Sequence, residues 1–359
     1  MAVHFHKLKV KQVKKETADS VSIAFDIPAA LQKDFAFAHG QNITIKKDFN
    51  GEEIRRSYSI CTAPFENELR VAIKKVEGGK FSVFANEFLK SGDELDVLPP
   101  TGKFNTVLDA ANCKNYVAFV AGSGITPVIS IIKTTLQTEP CSSFTLVFGN
   151  RSRSSIIFFE ELEGLKNKYL QRFNFINVLS REKTDAPVNS GRINTEKLIA
   201  LTKLIKYEAV DEFFICGPEQ MIFCVKDFLE KKTIDKKKIH FELFTTPGQK
   251  KTTGNRQPTT ENTGPKSKIT VKLDGRSFDF DLSLNSDTSI LDAALAQGAD
   301  LPFACKGGVC CTCKAKLLEG EVEMDVIWGL EHEEMEQGFI LTCQSHPVTE
   351  KVIVDFDIK

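Results

Sequence analysis

The N-terminal part of the chain carries short segments in which apolar and polar residues alternate. Six of them are separated by turn-forming residues: HFHKLKVKQV, SVSIAFDI, QNITIKK, RRSYSI, ELRVAIKKV and DELDVLPP. A period of two is typical of strands, and six closely spaced strands predict a small antiparallel β-barrel over residues 1–108. One helix is predicted at FSVFANEFL, where Phe81, Phe84 and Phe88 recur at helical spacing and are expected to pack in the core.

Residues 109–245 show a different pattern, in which apolar strands alternate with amphipathic helices. NYVAFVAG is a continuous apolar run, as expected of a buried parallel strand. It leads through GSGITP into the helical segment PVISIIKTTLQ, with Pro127 near the first turn. Further strands are predicted at FTLVFGN, FNFINVLS and DEFFICG, and a helix at FFEELEGLKNKYL. This alternation predicts an α/β, Rossmann-like domain.

The C-terminal part, residues 268–359, mixes strands and helix. KITVKLDGRSFDFDL predicts two strands around the turn Asp274-Gly275. SILDAALAQGA predicts a short helix with Ile290, Leu291, Ala294 and Leu295 on its apolar side. The segment before it, 246–267, has no aliphatic or aromatic residue and is rich in Thr, Lys, Gly and Pro. We expect a flexible linker there, because such a segment cannot bury itself.

The composition of the chain does not indicate nucleic-acid binding, membrane attachment or secretion. The chain has 359 residues and a net charge of −1, which gives no indication of nucleic-acid binding or of attraction to an anionic membrane. The N-terminus, MAVHFHKLKV, alternates and lacks the apolar block of a signal peptide, and no apolar run approaches a membrane span. Ten cysteines without a secretory signal suggest a reducing compartment, so we expect a cytoplasmic protein.

Four cysteines near the C-terminus provide the strongest chemical pattern. Cys305, Cys310 and Cys313 have the spacing C-x4-C-x2-C, and Cys343 follows after 29 residues. This is the ligand spacing of a plant-type [2Fe–2S] cluster. Disulfides are disfavoured without a secretory signal, and a zinc site usually pairs two short C-x2-C knuckles. Cys311 lies off the ligand spacing and is interpreted as a non-ligand.

A resemblance to the ferredoxin–NADP reductase superfamily rests on several motifs. RSYS resembles its flavin signature, and GGKFS resembles its G-x-x-S phosphate segment, with a capped helix start as the alternative interpretation of GGKFS. The resemblance implies that Arg56 pairs with a flavin phosphate, Tyr58 lies beside the flavin and Ser59 bonds near its redox-active nitrogen. The further flavin-binding residues that it implies are Ser57, Val71, Lys74, Gly79, Lys80 and Ser82. FAD is expected, with FMN as the less favoured alternative.

The same resemblance extends to the nicotinamide site. VAGSGITP resembles the G-x-G-x-x-P turn, and CGPEQM resembles the C-G-P-x-x-M segment. The residues implied to bind the nucleotide there are Gly122, Ser123, Gly124, Thr126, Pro127, Gly217, Pro218 and Met221. Cys216 is implied to lie near the reactive nicotinamide carbon, although a plain buried thiol would explain it too. Glu242 and Phe244 are implied to close the nicotinamide–flavin contact, and we assign Ser59, Cys216 and Glu242 as the catalytic group.

NADPH is expected over NADH. Ser180 and Arg181 follow a strand where NADPH-specific relatives bind the 2′-phosphate, and Arg151 and Arg153 follow the preceding strand. Cationic groups suit a phosphate, whereas NADH enzymes more often place an acid on the ribose. Exposed arginines after strands are also common, so NADH stays open as the alternative.

From residue 268 to its end, the chain resembles a plant-type ferredoxin, which implies an α+β β-grasp fold. The whole chain resembles the reductase components of bacterial multicomponent oxygenases, and most closely the phenylacetyl-CoA epoxidase reductase subunits. This implies electron transfer from NADPH through FAD and the cluster to a di-iron oxygenase that itself binds the CoA thioester. One alternative is an NADH-dependent reductase of a ring-hydroxylating or steroid hydroxylase system. Another is a non-enzymatic ferredoxin-like carrier or a redox sensor.

Overall fold

The computed structural model describes residues 4–244, 265–284 and 286–358. The strands are β1 (His6–Thr17), β2 (Ser20–Asp26), β3 (Asn42–Phe49), β4 (Glu52–Ser59), β5 (Leu69–Lys74), β6 (Glu94–Val97), β7 (Asn115–Ala121), β8 (Ser143–Asn150), β9 (Phe173–Leu179), β10 (Glu212–Gly217), β11 (Ile239–Leu243), β12 (Lys266–Leu273), β13 (Arg276–Ser283), β14 (Lys314–Glu319), β15 (Val322–Met324), β16 (Phe339–Leu341), β17 (Ser345–Pro347) and β18 (Lys351–Asp355). The helices are α1 (Lys80–Glu87), α2 (Ile125–Thr138), α3 (Phe159–Lys168), α4 (Thr195–Leu201), α5 (Glu219–Lys231), α6 (Ile290–Ala296) and α7 (His332–Glu336).

The six predicted N-terminal strands form one antiparallel sheet in the order β4-β3-β6-β1-β2-β5. The two ends of this order meet just beyond β4, where Ile60 forms an antiparallel bridge with Val71 of β5. The N–H of Cys61 also donates to the carbonyl of Arg70 at 2.9 Å. The sheet therefore curls into a barrel, whose inner face is filled by alternate apolar residues of each strand. The predicted antiparallel barrel is confirmed.

Helix α1 differs in one respect from its prediction. Phe81 is buried in the barrel core and Phe84 packs against that core. Phe88, however, is 67% exposed, so the expected core position is wrong for this residue. The helix ends at Glu87, and Phe88 is the C-cap with non-helical φ −123°, so helical periodicity no longer sets its direction.

The middle of the chain forms a five-stranded sheet in the order β11-β10-β7-β8-β9. All four strand pairings are parallel. Buried residues run almost without interruption along β7 and β10, as expected for central strands with helices on both faces. Helices α4 and α5 were not predicted. The predicted α/β class is confirmed. Because all five strands are parallel, their carboxyl-terminal ends lie at the same edge of the sheet.

The barrel and the α/β domain are joined by a common interior. Cys61 and Ala72 of the barrel belong to the same buried apolar cluster as helix α2. The hydroxyl of Ser130 in α2 donates to the carbonyl of Thr62 at 2.6 Å. The buried ammonium group of Lys133 pairs with one carboxylate from each domain: that of Glu66 in the barrel at 2.7 Å and that of Glu161 in the α/β domain at 2.9 Å. Apolar packing and a paired buried charge thus fix the two domains together.

The C-terminal residues form a mixed sheet in the order β13-β12-β18-β14-β16, with a separate β15-β17 pair. β12 and β13 are joined by Asp274 and Gly275, which both have positive φ (52° and 68°), as a tight two-residue hairpin requires. Helix α6 buries its predicted apolar side in the core of this sheet. The predicted α+β class is confirmed.

The predicted linker, 246–267, lies outside the described residues except at its end. Lys266 and Ser267 belong to β12 and pair with Ser283 and Leu282 of β13. Strand β12 therefore begins two residues before residue 268. Lys266 and Ser267 were assigned to the linker from composition alone, because a strand that pairs with another polar strand shows only a weak alternating pattern in the sequence. Among the helices that the structure describes, none has the length and apolar character that crossing a membrane requires.

A buried carboxylate organises the amino-terminal edge of the parallel sheet. Glu139, at the end of α2, is fully buried and accepts hydrogen bonds at 2.7–3.1 Å. Its donors are the Asn112 amide, the Tyr116 and Ser142 hydroxyls and the Asp109 N–H. Burial alone would raise the pKa of Glu139, but these hydrogen bonds lower it overall.

We predict that Glu139→Gln lowers the free energy of unfolding by about 2–3 kcal/mol, because an amide cannot accept from all four donors. Tyr116→Phe is the matched control, and it should cost only about 1 kcal/mol. A lowered folded pKa stabilises the protein above the unfolded value of about 4.3, and this stabilisation is lost as the pH falls through the folded pKa. Calorimetric unfolding at pH 7 and below pH 4 should therefore show the Glu139→Gln deficit shrinking in acid. A deficit that is independent of pH would contradict the assigned charge.

Candidate functional site

The glycine turn after β7 packs directly on the end of β10. A Cβ atom at Gly124 would lie 2.2 Å from the carbonyl oxygen of Cys216 and 2.9 Å from the nitrogen of Gly217. No side chain fits at that distance, so glycine is required at residue 124. Gly122 has φ 56°, the left-handed conformation that glycine adopts without strain. The turn then enters α2, where the hydroxyl of Thr126 donates to the carbonyl of Ser123 at 3.0 Å.

Cys216 lies at the carboxyl end of β10, next to this turn. Its backbone pairs with Val120 of β7 on one side and with Glu242 of β11 on the other. Burial, and secondarily the Glu242 carboxylate, raises the pKa of the Cys216 thiol well above its usual value. The group is therefore a neutral thiol at physiological pH. The predicted residues Gly217, Pro218 and Met221 continue from it into α5, with Met221 packed over Gly217.

A hydrogen bond connects the barrel to this strand edge. The hydroxyl of Ser59, the last residue of β4, donates to the Glu242 carboxylate at 3.1 Å. Ser59 is buried, and Glu242 is adjacent to Cys216 in strand register. The structure thus brings together the three residues that the sequence analysis assigned as catalytic. Phe244, assigned to the same contact, follows β11 and is 41% exposed.

The flavin signature lies along β4, ahead of Ser59. Tyr58 is half-buried, with its ring centroid 5.7 Å from that of Phe81 in α1. Arg56 is also half-buried and donates to the carbonyl of Arg55 at 2.7 Å, and Ser57 lies between the two signature residues. A β-strand turns successive side chains to opposite faces, so Arg56 and Tyr58 project from the same side of β4.

The predicted flavin-binding residues Val71 and Lys74 lie on strand β5. The side chain of Val71 is fully buried in the barrel core. The side chains of Ala72 and Lys74 project from the other face of β5, because successive residues alternate. Only the backbone of Val71 could contribute to binding.

The segment GGKFS forms the start of α1. The hydroxyl of Ser82 accepts from the N–H of Val76 at 3.1 Å and lies 3.3 Å from the carbonyl of Gly79, to which it donates. Ser82 therefore shapes the loop, and the N-cap position is held by Gly79, which has no side-chain cap. The first backbone N–H groups of any helix lack intrahelical acceptors, and they can bind an anion. Lys80 pairs with Glu52 of β4.

Four predicted residues follow β8 and β9 at the carboxyl edge of the parallel sheet. The N–H of Arg181 donates to the carbonyl of Arg151 at 2.8 Å, and that of Ser180 to Asn150 at 2.9 Å. Arg153 stacks over the ring of Phe159 at 4.6 Å, and its N–H donates to the Glu182 carboxylate at 2.7 Å. The structure therefore places Arg151, Arg153, Ser180 and Arg181 on one exposed edge. That edge is cationic but includes one acid.

The four predicted cluster ligands form two thiol pairs in the C-terminal domain. Cys305 is hydrogen-bonded to Cys310, and Cys313 to Cys343. The bond from Cys305 lowers the pKa of Cys310 to about 6, and the bond from Cys313 likewise lowers the pKa of Cys343. No three His, Cys, Asp or Glu side chains in the described parts of the chain converge on a single metal ion. Two pairs are instead what two irons require, so this donor set fits a [2Fe–2S] cluster.

The loop around these thiols directs its backbone towards them. The N–H of Gly307 donates to the sulfur of Cys305 at 3.3 Å, and the N–H of Cys305 to the sulfur of Cys310 at 3.5 Å. Gly308 has φ 73°, and a Cβ there would lie 2.9 Å from Val326. Cys311 also has positive φ, and its thiol bonds to the carbonyl of Gly329. This contact agrees with its interpretation as a non-ligand.

The sequence analysis missed one residue at this centre. The side-chain amide of Gln344 donates to the carbonyl of Lys306 at 2.9 Å and to the sulfur of Cys343 at 3.6 Å. It thereby ties the cluster loop to the fourth cysteine, which is distant in sequence. Its position directly after Cys343 was the available indication, since residues next to ligands commonly bond to their sulfurs.

Comparison with known domain families divides the chain into three consecutive parts. Residues 7–106 match the oxidoreductase FAD-binding domain, and residues 119–227 match the oxidoreductase NAD-binding domain. Residues 271–348 match the 2Fe-2S iron-sulfur cluster binding domain. These parts coincide with the barrel, the parallel sheet and the mixed sheet described above.

Several proteins are similar to the chain over its whole length. One subunit of the 1,2-phenylacetyl-CoA epoxidase of Escherichia coli (strain K12) is 46% identical over 99% of this chain and 98% of its own. The 3-ketosteroid-9-alpha-monooxygenase, ferredoxin reductase component, of Rhodococcus rhodochrous is 33% identical over 97% and 96%. The solved structure of phthalate dioxygenase reductase covers 98% of both chains with a TM-score of 0.58 at 22% identity, and so shares the fold.

We predict that Cys310→Ala abolishes the visible absorption of an iron–sulfur cluster, whereas Cys311→Ala retains it. The first change removes a thiolate of low pKa from one of the two pairs, and the second removes a thiol that bonds to Gly329. Iron analysis should give about two irons per chain for the wild type and Cys311→Ala. Retention of the cluster in Cys310→Ala, or its loss in Cys311→Ala, would show that the ligand assignment is wrong.

Proposed function

Because the chain belongs to the ferredoxin–NADP reductase family, in the form that carries a C-terminal 2Fe-2S domain and serves oxygenases, we propose that it oxidises NADPH and delivers the electrons to a di-iron oxygenase. The chain is an oxidoreductase, the reductase component of an oxygenase system. The observation that carries the proposal is the convergence of Ser59, Cys216 and Glu242 where the FAD-binding and NAD-binding domains meet. The proposed division is 1–108, 109–245, a linker over 246–267 and 268–359.

The residues at this junction have distinct roles in the proposal. The Glu242 carboxylate holds the Ser59 hydroxyl at 3.1 Å, so that the hydroxyl is positioned at the end of β4. The Cys216 thiol stays neutral because it is fully buried, and its backbone supports the glycine turn beside which the nicotinamide ring would bind. When bound, FAD would supply the conversion between two-electron and one-electron transfer, and the cluster would hold single electrons.

The preference for FAD over FMN is supported by the match to an FAD-binding domain. Arg56 and the N–H groups at the start of α1 are the residues that would hold its phosphates, because both kinds of group bind phosphate oxygens. Gly122 and Gly124 let the pyrophosphate of the second nucleotide approach the backbone. The preference for NADPH rests on Arg151, Arg153 and Arg181 at the edge beyond β8 and β9.

The proposed partner is an oxygenase that acts on an aromatic CoA thioester. Support comes from the 46% identity to the phenylacetyl-CoA epoxidase subunit over nearly the full length of both chains. A steroid or ring-hydroxylating system is the second candidate, which the 33% identical steroid monooxygenase component favours. The structure describes all ten cysteines, and each is a free thiol, in keeping with the proposed cytoplasmic location.

We expect anaerobic addition of NADPH to the purified holoprotein to bleach both the flavin and the iron–sulfur absorption bands. NADH in a parallel experiment should act more slowly. Bleaching of the flavin alone would mean that the cluster receives no electrons from it. No bleaching with either nucleotide would overturn the reductase proposal in favour of a ferredoxin-like carrier that is reduced by another protein, or of a redox sensor.

We expect Arg181→Ala to raise the KM for NADPH about 10-fold and to change the KM for NADH less than about twofold. A charge-assisted hydrogen bond to the 2′-phosphate contributes about 1.5–3 kcal/mol, and NADH has no such phosphate. Lys237→Ala is the matched control, because it removes an exposed cation just before β11, at the opposite edge of the sheet. Equal effects of Arg181→Ala on the two nucleotides would refute the assigned preference.

A further inference from the structure

Two cysteines that play no part in the proposed electron path lie close together on the surface. Cys113 precedes β7, and Cys141 precedes β8. Both are exposed, unlike Cys61 and Cys216, which are buried. They lie at the amino-terminal edge of the parallel sheet, whereas the residues of the nucleotide site lie at its carboxyl-terminal edge.

The strand register brings the two cysteines opposite each other. β7 and β8 pair in parallel, starting with Asn115 opposite Ser143. Cys113 and Cys141 each lie two residues before this pair, in the segments that lead into the two neighbouring strands. Two bonds hold the approaching segments together: the N–H of Lys114 donates to the Ser142 hydroxyl at 2.8 Å, and the N–H of Ser143 to the Lys114 carbonyl at 2.9 Å.

The two thiols influence each other. The Cys141 thiol is the largest cause of the raised pKa of Cys113, to which the nearby Glu139 carboxylate also contributes. Residues opposite each other on neighbouring strands have Cα atoms about 5 Å apart, within the roughly 4.4–6.8 Å range of disulfides. The backbone therefore needs little movement for a bond to form.

We propose that Cys113 and Cys141 form a reversible disulfide when the protein meets hydrogen peroxide. One thiolate attacks the peroxide and becomes a sulfenic acid, releasing hydroxide that is protonated to water. The other thiol then attacks that sulfur, forming the S–S bond and releasing a second water. Overall, two thiols and one peroxide give one disulfide and two waters. A dithiol reductant returns two electrons and two protons and restores both thiols.

The disulfide would close a loop around the nucleotide-binding unit. Residues 113–141 contain β7, the glycine turn and α2. A cross-link across such a loop restricts the unfolded chain and so stabilises the folded domain. Since it lies at the far edge of the sheet, it should leave the turn at Gly122 and Gly124 unaltered. The site therefore acts on stability under oxidative conditions. It is independent of which nucleotide the protein prefers.

The test is peptide mapping of the holoprotein after addition of stoichiometric hydrogen peroxide and alkylation of the remaining thiols. Trypsin releases Cys113 in the peptide 104–114 and Cys141 in 134–151, and each peptide holds a single cysteine. We expect these peptides linked, with a mass two hydrogens below their sum, and separated again by dithiothreitol. The melting temperature should rise by about 5–10 °C on oxidation and return on reduction.

Cys113→Ser and Cys141→Ser should each lose both the linked peptide and the rise in melting temperature. Cys224→Ser, a change of the same kind in α5, should retain both. The visible spectrum, recorded at each peroxide dose, reports separately on loss of the flavin or the cluster. Recovery of both cysteines as alkylated or singly oxidised residues, with no linked peptide, would overturn the proposal. A rise in melting temperature that persists in the two serine variants would do the same.

Discussion

The close contact between the glycine turn and the end of β10 is the constraint on which the candidate site depends. The carbonyl of Cys216 occupies the space that a side chain at residue 124 would need. This packing fixes the ends of β7 and β10 relative to each other, so that the turn and Cys216 lie at the same edge of the sheet. The register of β10 with β11 then places Glu242 beside Cys216, and Glu242 in turn reaches Ser59 of the barrel. One backbone contact thus aligns groups from three strands.

The junction between the barrel and the α/β domain has to keep this alignment. Transfer between two bound rings is sensitive to displacements of about 1 Å, so loose domains would lose rate. The junction contains an apolar cluster, whose burial holds the domains together without preferring an orientation. It also contains the Ser130–Thr62 hydrogen bond and the Lys133 charge pairs, which form in only one orientation of the domains. Because Lys133 is buried, displacement of one domain would break its pair with Glu66 of the barrel and leave the ammonium group with Glu161 as its one carboxylate partner of these two. Such a junction favours one relative orientation of the two domains.

The sequence predicted what depends on local patterns and missed what depends on distant contacts. Strands, the main helices and the order of the domain classes follow from periodicity and turn chemistry, and the structure bears them out. Phe88 was misjudged because the helix ends one residue earlier, and its side chain is exposed. The Glu139 network and the Gln344 bonds join residues whose proximity only the folded chain creates. The spacing of the four cysteines predicted that they act together as cluster ligands, but it did not predict how their thiols pair.

In the parallel sheet, the groups that would bind ligands and the polar groups that stabilise the fold lie at opposite ends of the strands. At the carboxyl edge, the first residues of the glycine turn are half-buried and the arginines beyond β8 and β9 are exposed, so both are accessible to ligands. At the amino edge, polar groups are instead satisfied within the protein, above all by the buried carboxylate of Glu139. The exposed pair Cys113 and Cys141 adjoins that network through Asn112 and Ser142. A chemical change at this edge can therefore alter how firmly β7 and α2 are held without altering the groups that would bind the nucleotide.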